Sequence, residues 1–264
     1  MELQFAEGKI RLAIDAGVAH VRIAQPARLN ALTLAMWRVI PEAIASAVDH
    51  DARVILLAGE GEHFSAGADI SEFAEVRKDA DSARHYESVN VAAFAAVRQS
   101  PIPVLALISG ACHGGGFGLA AAADLRLATD DARFSVPPAK LGLAYPASAM
   151  RDIALALGQQ QARRMLFTGE TMGAPNMLAT GFLLSVLTDL RSLDAAGASL
   201  ARTIAANAPL SIRAAKLALR AAAEDDADLE READALGAAT FESEDYAEGR
   251  RAFAEKRRPL FTGR

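Results

Sequence analysis

Residues 109–124 read SGACHGGGFGLAAAAD. Three consecutive glycines, Gly114, Gly115 and Gly116, follow a strand-like apolar run and open an alanine-rich stretch with no acidic residue until Asp124. A strand, a glycine cluster and then a helix expose backbone N–H groups at the helix start, where unpaired donors and a partial positive charge coincide. Such a turn can receive a phosphate or an oxyanion that develops during a reaction. The run matches neither GxGxxG nor GxxxxGK[ST], and by itself it also fits a purely structural tight turn.

The flanking sequence predicts an α/β core. IRLAID (10–15) and VAHVRIAQ (18–25) alternate around a glycine turn as a hairpin does. From Thr33, a candidate N-cap, to Asp49, apolar residues recur at helical spacing, with Pro41 marking a kink or break. VILLAG (54–59), PVLALIS (103–109) and DLRLAT (124–129) read as strands, with helices over 84–100 and 116–123 between them. This β-α-β-α-β order implies a mainly parallel sheet. Beyond Met150 the segments 149–157, 159–167, 192–207, 209–223 and 228–254 read as helices, interrupted by FLLSVL. The expected division is a β/α core over 1–195 and a helical region over 196–264.

Composition narrows the function. The 264 residues are 52% hydrophobic and 23% charged, with net charge −5, and contain no basic block, which argues against a nucleic-acid partner. No apolar stretch reaches the ~20 residues of a membrane span, and MELQFAEGKIRLAID lacks a signal-peptide core. A cytoplasmic protein is the expectation. A single cysteine, Cys112, and five histidines without metal-type spacing leave no metal site to predict.

A second loop sharpens the first. GEHFSAGADI (61–70) follows VILLAG as another glycine-bearing strand end, opening toward a helix at Ser71. Two such loops, each after a parallel strand, can converge and give one N–H apiece to a single oxygen. HFSAGADI and SGACHGGGFGLAAAADLRLA together resemble the crotonase (enoyl-CoA hydratase/isomerase) superfamily. PARLNALT (26–33), ARFSVPPAKLGLAYP (132–146) and ESEDYAEGRRAFAEKRRPLF (242–261) agree with it in the family's order.

The resemblance implies a superhelix of ββα repeats with a helical C-terminal oligomerisation region, forming a homotrimer or a dimer of trimers. It implies acyl-CoA substrates, with coenzyme A part of the thioester and no further cofactor. By the family motif, Ala66 and Gly115 carry the two N–H donors of the oxyanion hole. Arg28, Ala66, Ala68, Phe253 and Lys256 fall at CoA-contacting positions, the tail residues reaching across to a neighbouring subunit. The family's hydratases use two glutamates, which align here with Gly118 and Pro138, so ordinary hydration is in question. Tyr145 and His113 are the replacement candidates for proton transfer, and Asp69 is a candidate base or a helix-starting acid. His85 and Tyr86 lie on the helix that lines the acyl pocket in relatives. Cys112 reads as a buried small residue, and Asp130 and Asp131 as a solvated turn. Three reactions stay open: hydration, double-bond isomerisation, and decarboxylation of a malonyl-type thioester. A non-catalytic acyl-CoA-binding subunit and a nucleotide-phosphate protein built on GGGFG are the competing classes.

Overall fold

A computed structural model describes residues Met1–Arg264. The chain runs β1 (Glu2–Phe5), β2 (Ile10–Asp15), β3 (Val18–Ile23), α1 (Leu34–Asp49), β4 (Val54–Gly59), α2 (Phe73–Val76), α3 (Ala80–Gln99), β5 (Val104–Ile108), β6 (Ala111–His113) and α4 (Gly115–Ala122). It continues through β7 (Leu125–Thr129), β8 (Arg133–Ser135), α5 (Pro138–Leu141), α6 (Ala147–Leu157), α7 (Gln159–Thr168), β9 (Met172–Gly173), α8 (Ala174–Ala179) and β10 (Ser185–Leu187). The helices α9 (Leu190–Ala205), α10 (Pro209–Glu224), α11 (Ala227–Ala239) and α12 (Glu244–Ala254) complete it.

Seven strands form one sheet in the order β1-β2-β3-β4-β5-β7-β10. The first three are antiparallel, and β3, β4, β5, β7 and β10 run parallel. A smaller sheet holds β6, β8 and β9, and Ser65 bridges Cys112 in parallel alongside it. The repeat is visible in this arrangement. After β4, β5 and β7 the chain crosses to the second layer at Ser65, β6 and β8 respectively, and then enters a helix. Each turn of the superhelix is thus a strand, a short strand and a helix.

The continuous apolar runs follow from burial on both faces. In β4, Ile55 and Leu57 join the main core, while Val54, Leu56 and Ala58 face Leu193, Ala201 and Ala205 of α9. The expected boundary at 195/196 therefore cuts through a helix packed along the sheet. The helical region after Ala205 stays tied to the core through Lys216, which donates to Ile102 O and pairs with Asp124.

Several expectations are corrected. Helix α1 passes through Pro41 unbroken, with Thr33 accepting from the Met36 N–H at its start. Ile40, Ala43, Ile44 and Ala47 are all buried on either side of the proline, and that packing offsets the roughly 3 kcal/mol an internal proline costs. The expected helix over 228–254 is two helices, because Ser243 takes an extended conformation and caps α12 through the Tyr246 N–H. The segment from Ser71 starts as a 3-10 turn, Ile70–Glu72, capped by Asp69. The strands β1, β6 and β8 are too short to show a period in the sequence.

Candidate active site

The two glycine loops meet because the intervening backbone is stitched in register. Phe64 N–H donates to Ser109 O at 2.8 Å, Ser65 N–H to Ala111 O at 2.9 Å, and His113 N–H back to Ser65 O at 2.9 Å. The PARLNALT segment clamps the first loop from the other side. Asn30 is wholly buried; its Nδ2 donates to Glu60 O and His63 O, its Oδ1 accepts from Gln25 N–H, and its carbonyl accepts from the Ser65 hydroxyl. Gly67 then turns with φ +94°, and a Cβ there would lie 2.7 Å from His113 O. Only glycine fits that approach.

The N–H groups of this cradle are not equivalent. Ala66 N–H donates to Leu29 O at 2.9 Å, and Gly67 N–H to the Ser65 hydroxyl at 3.1 Å. Ala66 therefore does not present a free donor, contrary to the motif-based expectation. Ala68 N–H has no protein acceptor, and neither does Gly115 N–H, an orphan of the first turn of α4. A Cβ on Gly115 would sit 3.9 Å from Ala68 N, and both residues line one cavity of about 120 Å³. The donor pair that converges is Ala68 with Gly115. The alternating N–H directions along the loop decide this, and composition alone does not reveal them.

The cavity is largely apolar, walled by Trp37, Phe73, Phe94, Pro138, Leu141 and Leu143 among others. Gly118 is buried, and a Cβ on it would meet the Phe94 ring at 2.8 Å. Phe94 in turn packs edge-on against Trp37, with centroids 5.6 Å apart. Pro138 is buried and opens α5. The two positions that hold glutamates in the family's hydratases are thus filled by a ring contact and a proline.

Tyr145 and His113 both line the cavity. The Tyr145 hydroxyl lies beside Gly114, 3.1 Å from where a Cβ would be. Burial pushes its pKa up to about 12, so it is a neutral phenol at neutral pH. His113 Nδ1 pairs with the Ser135 hydroxyl at 2.9 Å. Burial, and then the neighbouring His63, hold the His113 pKa below 6.5, so its ring is neutral as well. Asp69 acts as the helix-starting acid. It caps Ser71 and accepts from Arg28 Nη1 at 2.7 Å. Burial raises its pKa, but the Ser71 hydroxyl, Arg28 and the Ser71 amide together bring it below the usual carboxylate value.

Other predicted residues lie elsewhere. Arg28 is committed to Asp69 and the Ser71 hydroxyl. Phe253, 88% exposed, and Lys256 lie at the end of α12 and do not line the cavity of their own chain. His85 faces outward against Arg38. Cys112 is fully buried, and burial pushes its thiol well up, away from the reactive thiolate. Helix α3 contributes Glu87, Asn90 and Phe94 to the cavity, and the turn after α2 contributes Arg77. The sequence did not single out these four. Residues 60–83 carry no periodicity, and Glu87 lies among polar residues that read as a solvated helix face.

Residues 13–264 match the model of the family described as Enoyl-CoA hydratase/isomerase. The chain belongs to the enoyl-CoA hydratase/isomerase family. It is 34% identical over 249 residues to the "Probable enoyl-CoA hydratase echA6" of Mycobacterium bovis, covering 93% of this chain and 96% of the relative. It is 29% identical over 213 residues to the mitochondrial Delta(3,5)-Delta(2,4)-dienoyl-CoA isomerase of Mus musculus, covering 76% of this chain but 65% of that isomerase's length. Among solved structures, an enoyl-CoA hydratase/isomerase family protein from Hyphomonas neptunium superposes with a TM-score of 0.91 at 40% identity, covering 97% of this chain and 98% of the other. Hydratases and isomerases therefore both stand among the relatives of this family member, and its own cavity has to distinguish between them.

Proposed function

We propose that this enoyl-CoA hydratase/isomerase family member moves a double bond in an acyl-CoA thioester through the thioester enolate, rather than adding water to it. The observation that carries the reading is the pair of unpaired N–H groups, Ala68 and Gly115, in a cavity, together with Gly118 and Pro138 at the positions that align with the hydratases' glutamates. Two donors aimed at the thioester oxygen stabilise the enolate, each by roughly 2.7–4 kcal/mol. Neither needs a side chain.

Isomerisation requires one group that takes the proton from Cα and returns it at Cγ, and water addition requires two. Glu87 is the one carboxylate lining the cavity and is the candidate for that shuttle. Tyr145, a neutral phenol, donates a hydrogen bond to the developing charge but is a poor base at neutral pH. Its neutrality also favours a second reading, decarboxylation of a malonyl-type thioester. There, loss of CO₂ leaves the enolate without any base, and a phenol supplies the proton to Cα.

Coenzyme A enters as part of the substrate. Exposed apolar side chains at Phe241 (68%), Phe253 (88%) and Leu260 (78%) support burial of the C-terminal region against further copies in a homotrimer or a dimer of trimers. No helix is long and apolar enough to cross a membrane.

Absorbance of the conjugated thioester tests the reaction. A 3-enoyl-CoA should gain conjugation with the protein present and lose that activity in Glu87→Gln, while crotonyl-CoA should keep its conjugation. Rapid hydration of crotonyl-CoA would overturn the reading. Release of CO₂ from a malonyl-type thioester, with no action on 3-enoyl-CoA, would replace it by the second. Binding without turnover of any of the three would make the chain an acyl-CoA-binding subunit.

A further inference from the structure

The wall of the cavity around Arg77 carries a donor without an acceptor. The Arg77 guanidinium carbon lies 4.7 Å from the ring centroids of both Phe73 and Tyr86, which are themselves 6.0 Å apart. Two aromatic faces thus fix a cation that forms no ion pair, although Glu87 lines the same cavity. Arg77 Nε is buried and unpartnered, whereas the Trp37 and Asn90 donors both face the Tyr86 hydroxyl. Arg77, Trp37 and Asn90 line the cavity, and Tyr86 stacks directly behind Arg77. Native proteins leave few buried polar atoms unsatisfied, so a buried guanidinium nitrogen with neither acceptor nor ion pair calls for an explanation. A guanidinium can only donate.

We infer that the acyl group of the substrate carries a carboxylate, received by Arg77 in the side-chain wall of the cavity. This rests on the acyl-CoA reading above and adds the substrate class. A carboxylate accepts at both oxygens and donates from neither. It complements a guanidinium and supplies the countercharge that Arg77 lacks. A plain hydrocarbon chain would leave the Arg77 guanidinium desolvated and unpaired, which costs binding free energy. Aromatic stacking holds the guanidinium plane while leaving its N–H edge free for the ligand. The carboxylate in question stays on the product, since a group bound by a cation is stabilised against loss as CO₂.

Calorimetric titration of three thioesters tests the inference: butyryl-CoA, glutaryl-CoA, and the amide analogue of glutaryl-CoA in which CONH₂ replaces the terminal carboxylate. The wild-type chain should bind glutaryl-CoA roughly tenfold or more tighter than either neutral ligand, the range expected for hydrogen bonds to a charged group. Arg77→Met, with its fold checked by circular dichroism, should abolish that preference, and Arg77→Lys should restore part of it. Equal binding of the three thioesters by the wild-type chain would overturn the inference while leaving the acyl-CoA reading intact. So would an Arg77→Met variant that weakens all three alike. Failure of all three to bind, butyryl-CoA included, would overturn both.

Discussion

The two walls of the cavity are built on different principles. One, formed by residues 64–68 and 111–116, presents backbone. Its N–H groups are aimed by strand pairing, by the buried Asn30 and by a glycine in a left-handed turn, and its side chains are small because nothing larger fits. The other, formed by the turn after α2, by α3 and by the α5–α6 connection, presents side chains: Arg77, Glu87, Asn90 and Tyr145. The backbone wall is suited to one task, holding an oxygen that gains charge. The side-chain wall can change its proton chemistry and acyl preference by substitution without disturbing that task.

The contrast can be broken from either side. The largest effect is expected at Glu87: replacing it by Gln should lower turnover by ~10²–10⁴-fold, the range for loss of a proton-transfer group, with little change in thermal midpoint. On the backbone wall, Ala68→Pro removes one donor and should cost ~10²–10³-fold in turnover. Ala66→Pro should instead lower the melting temperature, because it breaks the bond to Leu29 O. If Ala66→Pro left stability unchanged and Ala68→Pro left turnover unchanged, the assignment of the two donors would be reversed.

A smaller effect is expected where the walls touch. Gly118→Glu drives a side chain into the Phe94 ring and should destabilise the fold by roughly 1–3 kcal/mol without conferring hydration of crotonyl-CoA. Combining it with Phe94→Ala should relieve the overpacking at the expense of the Trp37 contact. Denaturant unfolding with a hydratase assay reads both.

The smallest effect is the dependence on acid. Burial depresses the pKa of both His113 and His20 in the folded chain below 6.5, so the unfolded chain binds more protons between the folded values and 6.5. Stability should therefore be level above pH 6.5 and fall as the pH drops through that window. His113→Gln should flatten part of the slope, with His20 responsible for the remainder. A denaturation midpoint that does not vary between pH 7 and 5 would contradict the burial of both rings.

The sequence carried the backbone wall well, because its devices are glycines after apolar strands, and those are visible as composition and spacing. The strands β4, β5 and β7, the cap at Thr33 and the helix α4 were all legible for the same reason. Which N–H of 66 and 68 faces the cavity was not legible, since alternate residues of an extended loop point in opposite directions and the register is set by pairing with residues 29–32. The side-chain wall was nearly silent. Arg77 follows a helix of one turn, and Glu87 and Asn90 look like an ordinary solvated face until Phe73 and Tyr145 join them around the cavity. Tyr145 and His113 were found only because they adjoin motifs.

The contact of Gly118 with Phe94 has a historical meaning as well as a mechanical one. With the ring in place, a carboxylate at 118 arrives first as damage to the core; with the ring removed first, the Trp37 packing is lost with no compensating activity. Each single step away from the present pair is expected to cost packing, and Pro138 would have to change as well, so a chain with both hydratase carboxylates lies at least three substitutions away. The aromatic ring acts as a ratchet against a carboxylate at position 118.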